Sequence, residues 1–144
     1  MGKIIAISIS TIRGIPKTNV VEANLIENFG IEQDAHAGDW HRQISLLADE
    51  SIDKIRNAGM PEVSAGDFAE NLTTKGIDFS KIQVGTRLSL SSSILLEITQ
   101  IGKECHTRCK IYQKVGNCVM PTDGLFAKVL KGGKLTIDDD IEIL

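Results

Sequence analysis

Aromatic residues are scarce in this sequence. They make up 4% of its 144 residues, with a single tryptophan and a single tyrosine. Aliphatic side chains must therefore fill any core, and the 42% share of apolar residues is sufficient for one. The length is typical of one domain, so we expect residues 1–144 to form a single domain.

Long apolar runs and an excess of positive charge are also missing. No segment reaches the roughly 18 apolar residues of a membrane span. The formal net charge of −3 gives no overall positive field, so we expect neither nucleic acid nor a membrane as a partner. The apolar run at residues 4–9 is too short for a signal peptide and alternates with serine, which favours a strand.

The number of cysteines is odd, at three. A small secreted domain would more often pair all of its cysteines in disulfides. We therefore predict a cytoplasmic protein whose reduced thiols are available for metal binding or nucleophilic chemistry.

Most of the chain has the pattern of short strands joined by glycine-rich turns. Strands are predicted where apolar and polar residues alternate or apolar runs are short: residues 5–9, 21–25, 43–47, 86–90, 94–101, 136–137 and 141–143. In the first of these, Ile5, Ile7 and Ile9 form one apolar face. The serines at 91–93 predict a hairpin turn.

Two or three short helices are predicted between the strands. One begins at Asp49 and has Ile52 and Ile55 on one side. A shorter one is predicted around residues 67–71, and residues 125–130 have helical spacing between Asp123 and a Gly-Gly pair. This composition predicts a mainly β protein with a closed or nearly closed, Greek-key-like β-barrel. An open α+β sheet is the alternative, whereas the lack of regular βαβ alternation argues against a doubly wound fold.

The loop at residues 34–43 concentrates functional side chains. It holds Asp34, His36, His41, Arg42 and the only tryptophan. Neither a helical nor a strand pattern fits, and functional residues favour loops on a rigid scaffold. The loop could bind a metal or an anionic ligand, although its spacing is not a zinc signature. A solvated polar loop is the alternative interpretation.

A second polar segment lies at residues 65–76. Asn71, Thr73, Thr74 and Lys75 offer hydrogen-bond donors to an anion. Taken alone, the segment is explained more simply by helix capping at Asp67 and a polar turn at residues 75–76.

The third segment surrounds Cys105. Lys103, His106 and Arg108 lie close to it in the sequence, and cations near a thiol stabilise the thiolate and lower its pKa. A persulfide-carrying cysteine, a molybdenum ligand and a redox thiol all fit this setting. A zinc site is a further alternative with four ligands: Cys105, His106, Cys109 and Cys118. Their spacing is uncommon for zinc, and Cys109 or Cys118 can simply be buried.

Taken in order, these motifs resemble the MOSC domain, the C-terminal domain of molybdenum cofactor sulfurases. The resemblance rests on residues 30–38, 41–47, 66–73, 84–86 and 96–100, followed by Cys105. It implies a MOSC-type β-barrel, with Cys105 as the catalytic thiol and the metal ligand. It also implies binding of the molybdenum cofactor by residues with suitable donors or charges: His36, Arg42, Asn71, Thr73, Lys103 and Arg108.

The chain lacks the desulfurase region of the larger relatives, so no pyridoxal phosphate site is expected in it. The resemblance therefore implies a sulfur carrier that receives sulfur from a cysteine desulfurase and holds it as a persulfide on Cys105. The acceptor would be the molybdenum cofactor or a molybdoenzyme. Two alternatives remain: a molybdenum-dependent reductase of N-hydroxylated compounds with Cys105 on the metal, and a non-catalytic zinc-binding module.

Overall fold

The computed structural model describes residues 2–13, 15–102 and 123–144. Strands dominate the described residues. Their bounds are β1 Gly2–Ile9, β2 Thr18–Val20, β3 Glu22–Ile26, β4 Gly30–Ile31, β5 Ile44–Ala48, β6 Leu72–Lys75, β7 Arg87–Leu90, β8 Ile94–Ile101, β9 Leu125–Lys131, β10 Gly133–Thr136 and β11 Asp140–Ile143. Helix α1 spans Asp49–Asn57, and a short 3-10 helix spans Phe79–Lys81.

Seven strands form a closed barrel in the order β11-β7-β8-β9-β5-β6-β1. The ring closes where β1 pairs with β11, with Gly2 opposite Ile141 and Lys3 opposite Asp140. Neighbouring strands are antiparallel except for β5 and β6, which are parallel. The short strand β2 continues the sheet beyond β1, and β10, β3 and β4 form a separate three-stranded sheet. The prediction of a mainly β protein with a closed barrel is confirmed.

Strands β5 and β9 are buried on both faces. Leu46 and Leu125 belong to the large cluster of aliphatic side chains in the main core. Their neighbours Leu47 and Phe126 instead pack in a second cluster with Ile52 and other residues of the α1 region. Helix α1 therefore covers the outer side of these strands, because alternate side chains of a strand point to opposite faces.

The helix predicted at residues 125–130 is wrong, since this segment lies in β9. It pairs with both β5 and β8. A strand that is buried on both faces has no polar alternation, and its apolar run then also fits a helical pattern.

The helix predicted at residues 67–71 is also wrong. The segment is a series of turns in which Gly66 has a φ of +94° and Ala69 a φ of 62°, values that a right-handed helix does not contain. The remaining helix, α1, is confirmed, with Ile52 and Ile55 buried as predicted. Among the described residues no helix is long and apolar enough to cross a membrane.

Strand β1 has a different apolar face from the predicted one. Ile4 and Ile7 are fully buried, whereas Ile5 and Ile9 are only partly buried. Its register with β6 shifts between Ile4 and Ala6. An irregularity of this kind adds a residue to one strand and reverses the alternation beyond it. Beyond it, Ile7 and Ile9 pack on the main core, whereas Ser8 points to the other face, where it is buried and donates to Asn19 at 2.7 Å.

Candidate functional site

Asn71, which directly precedes β6, ties together β1 and β5, the strands on either side of β6. Its side-chain oxygen accepts hydrogen bonds from the Ser45 backbone N–H (2.9 Å) and hydroxyl (3.2 Å). Its Nδ2 donates to the Ser8 carbonyl at 3.1 Å. Asn71 is completely buried, so its amide fixes the positions of β1 and β5 and has no surface open to solvent.

Glu70 and Thr73 form a second buried polar contact. The Thr73 hydroxyl donates to Glu70 Oε2 at 2.9 Å, and the Phe68 N–H donates to Glu70 Oε1 at 3.3 Å. Both Glu70 and Thr73 are fully buried. Burial raises the pKa of Glu70, although the donors from Gly66, Thr73 and Phe68 act in the opposite direction.

A buried ion pair supports the loop. Lys17 Nζ lies 2.8 Å from Asp34 Oδ1, and both side chains are almost completely buried. The Ser10 N–H donates to the same oxygen at 3.1 Å. Burial alone would raise the pKa of Asp34, but the hydrogen bond and charge of Lys17, together with Ser10 and Asn71, lower it below its ordinary value. Asp34 is therefore held as a carboxylate.

His36 is held by Asp34 and by the only tryptophan. Its backbone N–H donates to Asp34 Oδ2 at 3.1 Å, and its ring Nδ1 lies 3.9 Å from the same oxygen. The Trp40 indole N–H donates to the His36 carbonyl at 2.7 Å. The His36 side chain is 13% exposed, so its ring has limited contact with solvent.

Arg42 lies beside the end of β8. Its Nε donates to Gln100 Oε1 at 3.0 Å, and His41 Nε2 lies 3.0 Å from the same oxygen. The Arg42 guanidinium also lies 5.8 Å from the Trp40 ring centroid and 5.4 Å from that of Phe126. A cation over an aromatic face is stabilised by the ring quadrupole.

Arg13 approaches the same tryptophan from the connection between β1 and β2. Its guanidinium lies 4.8 Å from the Trp40 centroid, and its Nε donates to the Ala35 carbonyl at 3.1 Å. We call Arg13, Trp40, His41 and Arg42 the Trp40 cluster.

A pair of hydrogen bonds connects the Trp40 cluster to the point where β8 ends. Gln100, which accepts from Arg42, donates through Nε2 to the Gly102 carbonyl at 2.8 Å. The Gly102 N–H donates in turn to the Gly124 carbonyl at 2.7 Å. We call this Gly102–Gly124 contact the neck. Residues 103–122 lie between these two glycines in the sequence.

The predictions for Cys105, Lys103 and Arg108 lie outside the described residues. Of the other predicted ligands, His36 and Arg42 lie on either side of Trp40 in the chain and both contact it. Asn71 and Thr73 are buried and bonded to protein groups, so direct contact between them and a cofactor stays a prediction.

Three residues of this region were not predicted from the sequence: Lys17, Arg13 and Gln100. Gln100 links Arg42 to Gly102, and its place in the motif at residues 96–100 is the one sequence feature that could have indicated it. Lys17 and Arg13 carry no pattern, because their partners Asp34 and Trp40 are 17 and more residues away in the sequence.

The barrel also has a cleft of about 650 Å³ near the end of β5 and the start of α1. Its described lining includes the acids Glu50, Asp78 and Asp123 and a single cation, Lys54, which pairs with Asp123 at 2.8 Å. The large cleft therefore has an acidic lining and is poorly suited to an anionic ligand. The Trp40 cluster has the opposite charge and is the better candidate for one.

Among the described residues, no group of three or more His, Cys, Asp and Glu side chains is arranged to hold a metal ion. The zinc ligands considered above, Cys105, His106, Cys109 and Cys118, all fall outside these residues. A zinc-binding module therefore stays a prediction.

The closed seven-stranded barrel defines a class of protein by its fold, and the sequence matches a family model as well. The MOSC domain family model matches residues 33–142. This protein belongs to the MOSC domain family. No curated protein matches the sequence significantly.

Solved structures with the same fold include several bacterial proteins. The YUAD protein of Bacillus subtilis has a TM-score of 0.83 at 18% identity, over 99% of this chain and 96% of that chain. YiiM of Escherichia coli has a TM-score of 0.70 at 19% identity, over 100% of this chain and 70% of that chain. YiiM of Geobacillus stearothermophilus has a TM-score of 0.73 at 19% identity, over 100% and 75% of the respective chains. At these identities the likeness concerns the fold.

Proposed function

We propose that the protein carries sulfur as a persulfide on Cys105 and delivers it to the molybdenum cofactor or a molybdoenzyme. Membership of the MOSC family supports a role connected with the molybdenum cofactor. A cysteine desulfurase is the proposed donor, because the persulfide of such an enzyme can pass its terminal sulfur to an acceptor thiol.

The observation that carries this proposal is the link from Arg42 through Gln100 to Gly102. Cys105 follows Gly102 by three residues. The chain therefore runs from a residue linked to Arg42 to the proposed thiol within a short stretch of sequence.

The loading step is a sulfur transfer between thiols. The Cys105 thiolate attacks the terminal sulfur of the donor's persulfide, a new S–S bond forms on Cys105, and the donor's S–S bond breaks to release its thiolate. Lys103 and Arg108 are proposed to favour the Cys105 thiolate, which is the reactive form. They are the nearest arginine and lysine in the sequence on either side of it.

The residues near Trp40 fit an anionic cofactor. Arg42 offers a guanidinium that is held by aromatic rings and a neutral amide oxygen, and His36 lies in the same loop. Arg42 and His36 would hold the cofactor, while Asn71 and Thr73 would act by fixing the strands around it. When bound, the molybdenum cofactor supplies an oxo-molybdenum centre as the sulfur acceptor.

The test is to incubate the protein with a cysteine desulfurase and labelled cysteine, and to measure sulfur incorporation by intact mass. The wild type should gain one reducible sulfur atom, the Cys105→Ser variant should gain none, and the control Cys118→Ser should gain it normally. Labelling of Cys105→Ser at the wild-type level would overturn the assignment. Stoichiometric molybdenum with a sulfur ligand in anaerobically purified protein, without persulfide, would indicate the reductase instead.

A further inference from the structure

We propose that Arg13 and Arg42, both placed against Trp40, form a binding site for a tetrahedral oxyanion. Nothing in the sequence motifs assigns Arg13 a role. Its guanidinium nevertheless lies 4.8 Å from the Trp40 centroid, and that of Arg42 lies 5.8 Å from it. Both guanidinium groups therefore belong to one small region around Trp40, and an anion near both would be stabilised by two positive charges.

These two arginines differ from the others that the structure describes. Arg56 lies within 3.0 Å of Asp49 and 2.6 Å of Asp53, and Arg87 lies 3.4 Å from Glu97. Within the described ranges, by contrast, no carboxylate lies within 4.0 Å of Arg13 or Arg42. Their positive charge is therefore not neutralised by the described part of the chain.

Both guanidinium groups are held in a way that leaves their outer nitrogens for a ligand. Each donates through Nε to a neutral oxygen, Arg13 to the Ala35 carbonyl and Arg42 to Gln100. The terminal nitrogens of both have no hydrogen-bond acceptor among residues 2–13, 15–102 and 123–144. A guanidinium fixed at Nε and on an aromatic face is oriented in advance for bidentate contact with an oxyanion.

The surrounding charges support an anion. Asp34, the buried acid of the same loop, is neutralised by Lys17 at 2.8 Å. Asp39 is exposed and makes no ion pair with a described cation. His41 is exposed, and its Nε2 lies 3.0 Å from the same Gln100 oxygen that accepts from Arg42.

The chemistry is that of a phosphate or a similar tetrahedral oxyanion, which has two sources. It can be the phosphate of an organic ligand, and for that ligand to be the molybdenum cofactor the inference rests on the proposed function. It can also be a free inorganic oxyanion. The two sources share the arginine contacts and differ in whether an ester-linked phosphate is accepted.

Trp40 provides the measurement, because it is the only tryptophan of the chain. Its fluorescence is followed while inorganic phosphate, sulfate or glycerol phosphate is added at constant ionic strength. We expect a saturable change for wild type and a loss of affinity of about tenfold or more in Arg13→Gln and in Arg42→Gln. The Arg42→Lys variant should lie between them and the wild type. The matched control Arg87→Gln, which removes an arginine paired with Glu97, should bind as the wild type does.

Tighter binding of glycerol phosphate than of phosphate or sulfate supports an organic phosphate as the ligand, and the reverse order supports a free oxyanion. The proposal is overturned if no oxyanion gives a saturable change in the wild type. It is also overturned if Arg13→Gln, shown to be folded by circular dichroism, binds within twofold of the wild type.

The two proposals can fail separately. The oxyanion titration does not use Cys105, so Cys105→Ser should bind oxyanions normally. Conversely, Arg13→Gln should still be loaded with sulfur by a desulfurase. If the wild type binds oxyanions but gains no persulfide from a desulfurase, the sulfur-carrier proposal is rejected and the oxyanion-site proposal stands.

Discussion

The contact between Lys17 and Asp34 joins the β1–β2 connection to the loop that carries His36. Removing one partner of a buried ion pair leaves the other charged and uncompensated, which costs about 3–5 kcal/mol. We expect Lys17→Met to lower the free energy of unfolding by about this amount in urea denaturation. The double variant Lys17→Met/Asp34→Asn should lose less than the single one. A loss below about 1 kcal/mol in the single variant would contradict this role.

The same pair predicts a dependence on pH. Because Lys17 and the other donors lower the pKa of folded Asp34 below 3.8, the pair stabilises the protein above that pH, and the gain is lost as pH falls through the folded pKa. Without Lys17, burial dominates and raises the pKa of Asp34. The deficit of Lys17→Met should therefore shrink as pH falls from about 7 towards about 4, as measured from unfolding curves at each pH.

Glu70 predicts the opposite sign. Burial raises its pKa in the folded state above 4.5, so the folded protein binds its proton more strongly than the unfolded chain does. The contribution of Glu70 to stability is full below pH 4.5 and declines as pH rises through its folded pKa. Glu70→Gln should remove this decline. An unchanged pH profile of the unfolding free energy in Glu70→Gln would contradict the prediction.

For single residues, the sequence indicated which side chains of the 34–43 loop belong to the candidate site, but not which distant residues contact them. His36 and Arg42 were found because they lie in one dense loop. Lys17 and Arg13 reach that loop only because β1 and β2 bring the connection between them against it. A contact between residues far apart in sequence depends on the register of the strands, and the short polar connection carries no periodic signal of that register.

The segment before β6 depends on a close backbone approach at Gly66. This glycine has a φ of +94°, and a Cβ there would lie 2.4 Å from the Lys17 carbonyl oxygen and 3.1 Å from Ser8 Oγ. Gly85 is a matched control, since it has a φ of +95° and nothing within 4 Å of a Cβ. Both alanine variants share the conformational strain.

We expect Gly66→Ala to destabilise the protein by about 1–3 kcal/mol more than Gly85→Ala, because only the former adds a steric clash. Thermal and urea unfolding of the two variants measure the difference. Equal losses would show that the backbone at Gly66 moves away from Lys17 without cost.

The elements predicted correctly are those that bury one face and expose the other, so that their sequence shows a clear period. The β7–β8 hairpin and α1 each have a clear period and clear end signals. Strand β9 was mistaken for a helix because α1 covers its outer face and the core covers its inner face. Whether a segment is covered on both faces is a property of the fold, so a local pattern does not contain it.

Closure of the ring couples all seven strands of the barrel. The register between β1 and β11 closes the sheet with few residue pairs, so losing either terminal strand opens the ring and exposes edges. We expect a single cooperative transition, with Trp40 fluorescence and far-ultraviolet circular dichroism coinciding in urea. A transition in Trp40 fluorescence at lower urea would show that the loop at residues 34–43 unfolds separately.

The neck has a consequence for how such a protein diversifies. Gly102 and Gly124 are joined by a hydrogen bond, and the adjacent residues Ile101 of β8 and Leu125 of β9 are paired. The spacing of these two chain ends is therefore set by the barrel. For two chain ends held at a fixed spacing, doubling the length of a flexible connection costs only about 0.6 kcal/mol of closure entropy, so sequences of different length can be joined here. New reactive groups can thus be exchanged at this position, by evolution or by grafting, while the barrel that presents them stays the same.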